Sequence, residues 1–234
     1  MRTLARWHIW LGWLVGVPLL LWTFTGLWMV ARPIEEVRGT GLRADPAALV
    51  APEDVAVPKL DGRTVERIEM VPRLGQPVWI VRYQGGDARA ADVATGALLP
   101  RIDASAARSI ADAALSSPGD VEAVRAFAAD AAPFDLRRER ASWQVAYADG
   151  LHVYVDALSG EILAMRSGQW RWFDLMWGLH IMDLQTREDT SHPLLIGFAA
   201  LAFFGSLMGT ILLFRRRKAG IRANGGRAVQ PPQP

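Results

Sequence analysis

Two long segments without a formal charge lie near the ends of this chain. Each has 25 residues, the first from Trp7 to Ala31 and the second from Thr190 to Phe214. A helix of that length extends about 37 Å, which exceeds the roughly 30 Å of the hydrocarbon core of a bilayer. The sequence therefore predicts two transmembrane helices, at 7–31 and 190–214, in contact with lipid.

A cleaved signal peptide is the alternative interpretation of the first segment, because that segment follows a basic start. Its apolar run is longer than the roughly 7–15 residues typical of a signal peptide. Met29 also stands where a small residue would precede cleavage after Ala31. A retained membrane anchor is the preferred interpretation.

Charge is distributed unevenly along the chain. All 24 acidic residues and 18 of the 26 basic residues lie in 32–191, and the other basic residues flank the outer ends of the two apolar segments. By the positive-inside rule we expect residues 1–6 and the basic tail, 215–234, in the cytoplasm, and the composition of the end of the chain predicts that this tail is disordered. In a bacterium, the chain would be an inner-membrane protein. Residues 32–189 would then be periplasmic. Because topology explains the basic residues, no nucleic-acid partner is expected.

Composition and motifs argue against most enzyme classes. The chain has no cysteine, which excludes disulfides, thiol nucleophiles, cysteine-ligated zinc, iron–sulfur clusters and covalent c-type haem. It also lacks the G-x-S-x-G, P-loop, H-E-x-x-H and dinucleotide-binding patterns. A non-enzymatic role is therefore the preferred expectation, and an oxidoreductase component is the alternative.

The middle of the chain contains one pattern twice, 64 residues apart. W-x-V-x-Y, eight further residues and D-x-x-[ST]-G-x-[LI]-L occur from Trp79 to Leu99 and again from Trp143 to Leu163. The pattern predicts a strand, a tight turn that uses Asp and Gly, and a second strand. The predicted strands are Val65–Val71, Val78–Tyr83, Asp92–Leu99, Trp143–Tyr147, Leu151–Asp156 and Glu161–Met165.

These strands and one helix predict a duplicated α+β domain over 61–168, with repeats at about 61–100 and 101–168. The helix is expected at Ser105–Leu115, with Asp103 or Ser105 as its cap. A linker at 32–60 would contain a short helix after Asp45-Pro46. His152 alternates with valines, and we expect it to be an exposed strand residue.

Each apolar segment contains two glycines four residues apart, and such pairs let membrane helices approach closely. The pairs predict that the helices pack on each other or on a second copy of the chain. The alternative is that glycine is simply frequent in membrane helices. The candidate helix-packing residues are Gly12, Gly16, Gly205 and Gly209.

Three histidines are candidate ligands. His8 and His192 are the sole ionisable residues in the two apolar segments, which favours a function, although both lie near helix ends, where a structural role is the alternative. His180 belongs to a Trp-rich interfacial segment, 169–189. A helical spacing would place Asp183 beside it, so that the carboxylate orients the ring and leaves one nitrogen for a metal. A buried, hydrogen-bonded His180 is the alternative.

Several short motifs resemble the PepSY domain and the PepSY-associated transmembrane family. Val153–Asp156 followed by Ser159–Glu161 resembles the end of a PepSY domain. Asp174–Asp183 followed by His192–Leu195 is similar to the Leu-His element that precedes a later membrane helix of the family. The cytoplasmic end of the family's first helix is matched by Arg6, His8, Trp10, Leu11 and Gly12.

The resemblance implies an α+β fold, with a duplicated PepSY-like α/β-meander domain between two transmembrane helices. Larger members usually have four such helices, so a complete bundle would require a homodimer or another subunit of a membrane complex. The preferred function is an accessory protein that presents its periplasmic domain to an envelope or membrane partner. A module that regulates peptidases is one alternative.

A haem-binding electron-transfer component is the other alternative that the resemblance implies, with a role in iron uptake through ferric-siderophore reduction. Haem b would be held by His8, His180 or His192. In a dimer, two His8 rings would meet on one side of the membrane, and His180 would pair with His192 on the other. Without haem, His180 and Asp183 are the candidate metal ligands.

Overall fold

The computed structural model describes residues 2–50 and 52–225, which form two compact units. Of the described residues, the membrane unit contains 2–32 and 173–225, and the α+β unit contains 33–50 and 52–172. The helices are α1 (Arg2–Val30), α2 (Ile34–Arg38), α3 (Ala104–Ala113), α4 (Gly168–His180) and α5 (Pro193–Gly225). The strands are β1 (Val65–Arg73), β2 (Gln76–Tyr83), β3 (Ala88–Asp92), β4 (Val121–Phe127), β5 (Ser142–Tyr147), β6 (His152–Asp156) and β7 (Ile162–Arg166).

The membrane unit contains two helices that are long and apolar enough to cross a bilayer. The qualifying stretches are Thr3–Val30 of α1 and Pro193–Arg215 of α5, and the two helices contact each other. Their large apolar side chains are mostly exposed, as lipid-facing side chains are; Trp13, for example, is 76% exposed.

The basic tail differs from its prediction. Residues 215–234 were expected to be disordered, but α5 continues through the arginines as far as Gly225. Arginine, lysine and alanine are good helix formers, and extending an existing helix by one residue costs little. Residues 226–234 lie outside the described part of the chain.

The α+β unit has two antiparallel sheets, ordered β1-β2-β3 and β4-β5-β6-β7. Equivalent strands pair in the same register, since Val78 faces Asp92 in the first sheet and Ser142 faces Asp156 in the second. The predicted fold class, an α+β domain between two apolar helices, is confirmed.

Two local predictions were wrong, and one strand was missed. The strand predicted at Asp92–Leu99 is wrong: the alanine-rich segment that ends at Asp92 forms β3, a turn follows it, and only an isolated bridge joins Ala91 to Leu98. β4 was not predicted, because its VEAVRAF sequence lacks a clear apolar alternation. No helix follows Asp45-Pro46, where the chain has no regular structure up to Val50.

The predicted helix is confirmed as α3. The Asp103 side chain accepts a hydrogen bond from the Ala106 amide, with 2.8 Å between oxygen and nitrogen, and so caps the helix. α3 buries Ala107 and Ala111 against the second sheet, in the largest core of the unit. The first sheet has a smaller core, formed by Val78, Ile80, Ala88 and Ala90.

The turn between β6 and β7 contacts the first sheet at three points. Arg82 of β2 forms an ion pair with Glu161, and Arg73 of β1 donates a hydrogen bond to the Ser159 carbonyl over 3.2 Å. The Ala90 amide donates to the Leu158 carbonyl over 3.3 Å. These contacts join the two sheets and define one side of a pocket.

Candidate functional site

His180 is the last residue of α4, and the loop after it folds back onto the same helix. Arg187 forms an ion pair with Asp174 over 2.6 Å, and the Trp177 indole donates to the Arg187 carbonyl over 3.1 Å. Gly178 permits this contact, because a Cβ there would lie 2.7 Å from Arg187 Cγ. The loop therefore restrains the end of α4 that carries His180.

Asp183 stabilises this loop and does not orient His180, which corrects the sequence prediction. α4 ends at His180, so the expected helical spacing between the two residues is lost. The carboxylate instead accepts hydrogen bonds from the amides of Gln185 and Thr186, at 3.1 and 3.0 Å. Hydrogen bonds from the Thr186 hydroxyl and from backbone amides lower the pKa of Asp183 by more than burial raises it. The pKa of Asp183 therefore lies far below its ordinary value.

The ring of His180 packs on α1. It stacks on Trp22 with 4.7 Å between ring centroids and 16° between planes. Its Nδ1 lies 3.1 Å from both the Trp22 carbonyl oxygen and Thr25 Oγ1. Gly26 leaves space for the ring, because a Cβ at that position would lie 3.0 Å from His180 Cε1.

These contacts determine which ring nitrogen of His180 carries a proton. The Trp22 carbonyl can only accept a hydrogen bond, so Nδ1 must be the donor. The Thr25 hydroxyl donates within its own helix, to Leu21 or Trp22, and its oxygen can accept from Nδ1. In the neutral ring, Nε2 therefore keeps the lone pair that a metal or haem iron requires.

The α1 side of this site, formed by Trp22, Thr25 and Gly26, was not predicted from the sequence. A hydroxyl residue followed by glycine inside an apolar segment was the available signal. Thr25 is fully buried. Its partner His180 is 155 positions away in the sequence, so no local pattern could connect the two residues.

His8 packs against α5 in a similar way. A Cβ on Gly209 would lie 2.9 Å from His8 Cε1 and 3.3 Å from Nε2. The Nδ1 atom is buried and has no hydrogen-bond partner among the described residues. His8, Gly209 and four neighbours line a cavity of about 320 Å³ between the two helices; the others are Ala5, Ile9, Leu212 and Leu213.

The four candidate helix-packing glycines divide into two pairs. Gly205 and Gly209 lie against α1, since a Cβ on Gly205 would be 3.3 Å from Leu11. Gly12 and Gly16 have no described atom within 4 Å of an added Cβ. They line a groove of about 330 Å³ on α1 with Ile9, Trp13, Val17 and Leu20.

His192 stands immediately before α5, where its Nδ1 lies 3.4 Å from the Leu194 amide as an acceptor. Within residues 2–50 and 52–225, no hydrogen bond or ring contact joins His192 to His8 or His180. The same residues contain no group of three or more His, Cys, Asp or Glu side chains that could hold a metal ion. Among the described residues, the structure therefore shows no direct contact of His192 with either of the other two candidate histidines.

His152 lies in a polar network and is not the exposed strand residue that the sequence predicted. Its Nδ1 lies 3.4 Å from Asp135 Oδ2 and 3.3 Å from Gln144 Nε2. The Tyr154 hydroxyl donates to Asp135 over 2.6 Å, and Arg171 of α4 approaches His152 at 3.5 Å. The network covers one face of the second sheet, and the residue alternation alone could not show which face is covered.

Burial and hydrogen bonding shift two pKa values in this network. Burial by itself raises the pKa of Asp135, but hydrogen bonds from His152 and Tyr154 and the nearby positive charges outweigh it, so the pKa lies below its ordinary value. Burial is the largest cause of a raised pKa at Tyr154, and the hydrogen bond to Asp135 raises this pKa further. The tyrosine stays neutral and the aspartate ionised at neutral pH.

A pocket of about 510 Å³ lies where the β1–β2 hairpin meets the end of α3 and the β6–β7 turn. We call it the Arg73 pocket. Burial lowers the pKa of Arg73 from its ordinary value. The charged lining residues are Arg43, Asp45, Arg73 and Glu161. The apolar lining includes Val71, Leu74, Ile80, Ile110, Ala113 and Ile162.

Residues 5–230 match the protein family described as the PepSY-associated TM region. This match extends over both apolar helices and the α+β unit. No curated protein and no solved structure gives a significant match to the chain.

Proposed function

We propose, on the premise that this chain belongs to the PepSY-associated transmembrane family, that it is a membrane-anchored binding module. In this proposal α1 and α5 cross a bacterial inner membrane, and the α+β unit binds an envelope or membrane partner. The Arg73 pocket carries the proposal. It combines an apolar wall with a partly buried cation, which is the usual composition of a ligand site.

The proposed topology places both termini in the cytoplasm and the α+β unit in the periplasm. The basic residues beyond the outer ends of both helices support it. A cytoplasmic reporter fused after Lys218 should be active, and a periplasmic reporter inserted near Gly86 should also be active. Activity of the opposite reporter at either position would contradict the topology.

Photo-crosslinking in native membranes tests the binding role. Leu74 lines the pocket and is half exposed, so a photoreactive residue there should crosslink to a defined partner. The same residue at Ile68, on β1 outside the pocket lining, is the control position. Crosslinks that are identical from both positions would contradict a role for the pocket.

A filling variant strengthens this test. Ala113 is an exposed residue of α3 that lines the pocket, and Ala113→Phe should abolish the crosslink from Leu74. Ser105→Phe adds the same ring at an exposed position of α3 outside the lining, and it should leave the crosslink unchanged. A crosslink that survives Ala113→Phe would count against the proposal.

A haem-binding role is the second candidate, and the hydrogen bonding of His180 favours it. Because Nδ1 of His180 bonds to the Trp22 carbonyl, Nε2 is the nitrogen left for a ligand, and the buried Nδ1 of His8 lacks a partner among the described residues. Gly26 and Gly209 leave room for the two rings, and His180 and His8 are the residues that would hold the haem. Bound haem would supply one-electron transfer. Trp22 and Thr25 would orient the His180 ring, and a second copy of the chain would supply the facing ligand.

An absorption spectrum of the purified protein tests this second candidate. A Soret band should be present, or should form on reconstitution with haem, and His180→Ala should remove most of it. His152→Ala, in the α+β unit, is the matched control and should keep the band. A protein that binds haem no better than background would contradict the redox role.

A further inference from the structure

The Arg73 pocket contains a guanidinium without an anionic partner. One N–H of Arg73 donates to the Ser159 carbonyl over 3.2 Å. A guanidinium has five N–H donors, and no carboxylate of the described residues lies within ion-pair distance of Arg73. Arg73 therefore has donors left for a further acceptor.

The acidic residues near the pocket do not neutralise this cation. Glu161 forms an ion pair with Arg82, and its other oxygen accepts from the Ser159 hydroxyl over 3.1 Å. Asp45 and Arg43 both line the pocket, but they are exposed and opposite in charge. Water screens such exposed charges strongly. The remaining charge of the pocket is therefore the positive charge of Arg73.

The shape and lining of the pocket restrict what could bind there. Its volume of about 510 Å³ suits a small organic molecule or a few residues of a peptide. Aliphatic side chains from β1, β2, α3 and β7 form much of the wall, including Val71, Ile80, Ile110 and Ile162. An apolar ligand body would remove this surface from water.

Gly160 leaves room for the guanidinium at the pocket wall. A Cβ at Gly160 would lie 3.1 Å from Arg73 Nη1 and 3.3 Å from Arg73 Cδ. The planar guanidinium can bind both oxygens of a carboxylate at once. A dianionic phosphate is less favourable, because the remaining charge of the pocket is the single positive charge of Arg73. The charge balance favours a monoanion.

We propose that the Arg73 pocket binds a ligand that ends in a carboxylate and has an apolar body, with the carboxylate on Arg73 and the body against the aliphatic wall. This inference rests on the proposed binding function and names the ligand class for its pocket. The carboxylate has two chemical sources, the C-terminus of a peptide and a free acyl chain.

Ligand binding to the full-length protein in lipid nanodiscs tests the inference. N-acetyl-leucyl-leucine with a free carboxylate is compared with its C-terminal amide, and hexanoate with hexanamide, by calorimetry or ligand-detected NMR. At least one carboxylate should bind about tenfold more tightly than its amide, because a hydrogen bond to a charged group contributes that much affinity. Preference within the peptide pair identifies a peptide source, and preference within the acyl pair identifies an acyl source.

Three variants connect the preference to the pocket. Arg73→Gln should remove the difference between carboxylate and amide, whereas Arg67→Gln, an exposed position on the same strand, should keep it. Ala113→Phe retains Arg73 and should abolish binding by filling the pocket. Circular dichroism establishes that each variant is folded.

Equal binding of both carboxylates and their amides would overturn the inference, as would Arg73→Gln behaving like Arg67→Gln. A carboxylate preference that persists while the Leu74 crosslink is missing would overturn only the partner-binding function. A partner crosslink that requires the pocket, without any carboxylate preference, would overturn only the ligand class.

Discussion

The two sheets of the α+β unit have the same turn in different surroundings. In each, an aspartate accepts the amide three residues ahead over 2.8 Å, and a glycine follows with a φ near +70°. Asp92 in the first sheet is partly exposed, whereas Asp156 in the second is buried and forms an ion pair with Arg140. The backbone geometry is shared, and the electrostatic environment of the turn is not.

The faces of the two sheets also differ in polarity. The second sheet has Gln144, His152 and Tyr154 in its polar network. The first sheet has apolar residues at the equivalent positions, which are Ile80, Ala88 and Ala90. A repeated sequence pattern can therefore specify strand register without specifying the chemistry of the faces.

The largest expected difference between the sheets concerns the buried aspartate. Asp156→Ala should lower the free energy of unfolding of the α+β unit by about 3 kcal/mol, because it leaves the charge of Arg140 partly buried and unpaired. Urea unfolding of the full-length protein, followed by circular dichroism, measures this loss.

Asp92→Ala is the matched control, and its effect should be clearly smaller. Its side chain bonds mainly to Thr95 in an exposed turn. Equal losses of stability in the two variants would show that the burial of Asp156 does not make its turn more sensitive than that of Asp92.

For the two turn glycines, we expect the larger loss of stability in the first sheet rather than in the second. Gly96→Ala would place a Cβ 2.2 Å from the Val57 carbonyl oxygen, a backbone atom, so the linker must move. With the cost of a positive φ, we expect a loss of about 2 kcal/mol. Gly160→Ala meets only side chains of Arg73 and Ile102 and should lose about 1 kcal/mol, mainly from its φ. Thermal unfolding ranks the pair, and the reverse order would show that the Val57 backbone does not restrict Gly96.

The equivalent tryptophans should behave alike. Trp79 Nε1 donates to the Ala56 carbonyl over 2.9 Å, and Trp143 Nε1 donates to the Ile102 carbonyl over 2.7 Å. Phenylalanine at either position should cost about 1 kcal/mol through the lost hydrogen bond. Urea unfolding of both variants measures this, and a difference above about 1 kcal/mol would show that the two bonds are not equivalent.

The smallest expected effect is a loss of stability at low pH that comes from Asp135, which bonds to the second sheet. The pKa of Asp135 is lowered in the folded chain, so its contribution to stability is present above the unfolded value of about 4 and is lost as pH falls through the folded value. Asp135→Asn should therefore flatten the decline in stability below about pH 4. Unfolding curves at several pH values measure the slope.

Asp130→Asn, at an exposed position nearby, is the control and should keep the slope of the unchanged protein. An Asp135→Asn slope that matches this control would show that the network does not contribute to acid sensitivity.

The sequence predicted those features that depend on neighbouring residues. Composition and short motifs predicted both apolar helices, the family and α3, with Asp103 as one of the two candidate caps. The contacts of His180 were not found, since they depend on residues of α1 that are more than 150 positions away. β3 was misplaced because alanine has little preference for strands, and its burial between neighbouring elements decides the outcome.

The Arg73 pocket has walls from both repeats of the α+β unit, 61–100 and 101–168. Arg73 and Ile80 come from the first repeat, whereas Ser159 and Ile162 come from the second. One repeat alone would lack the walls that the other repeat supplies. If the domain arose by internal duplication, the pocket is younger than the strands that surround it, and a one-copy ancestor would have needed to self-associate to form anything comparable.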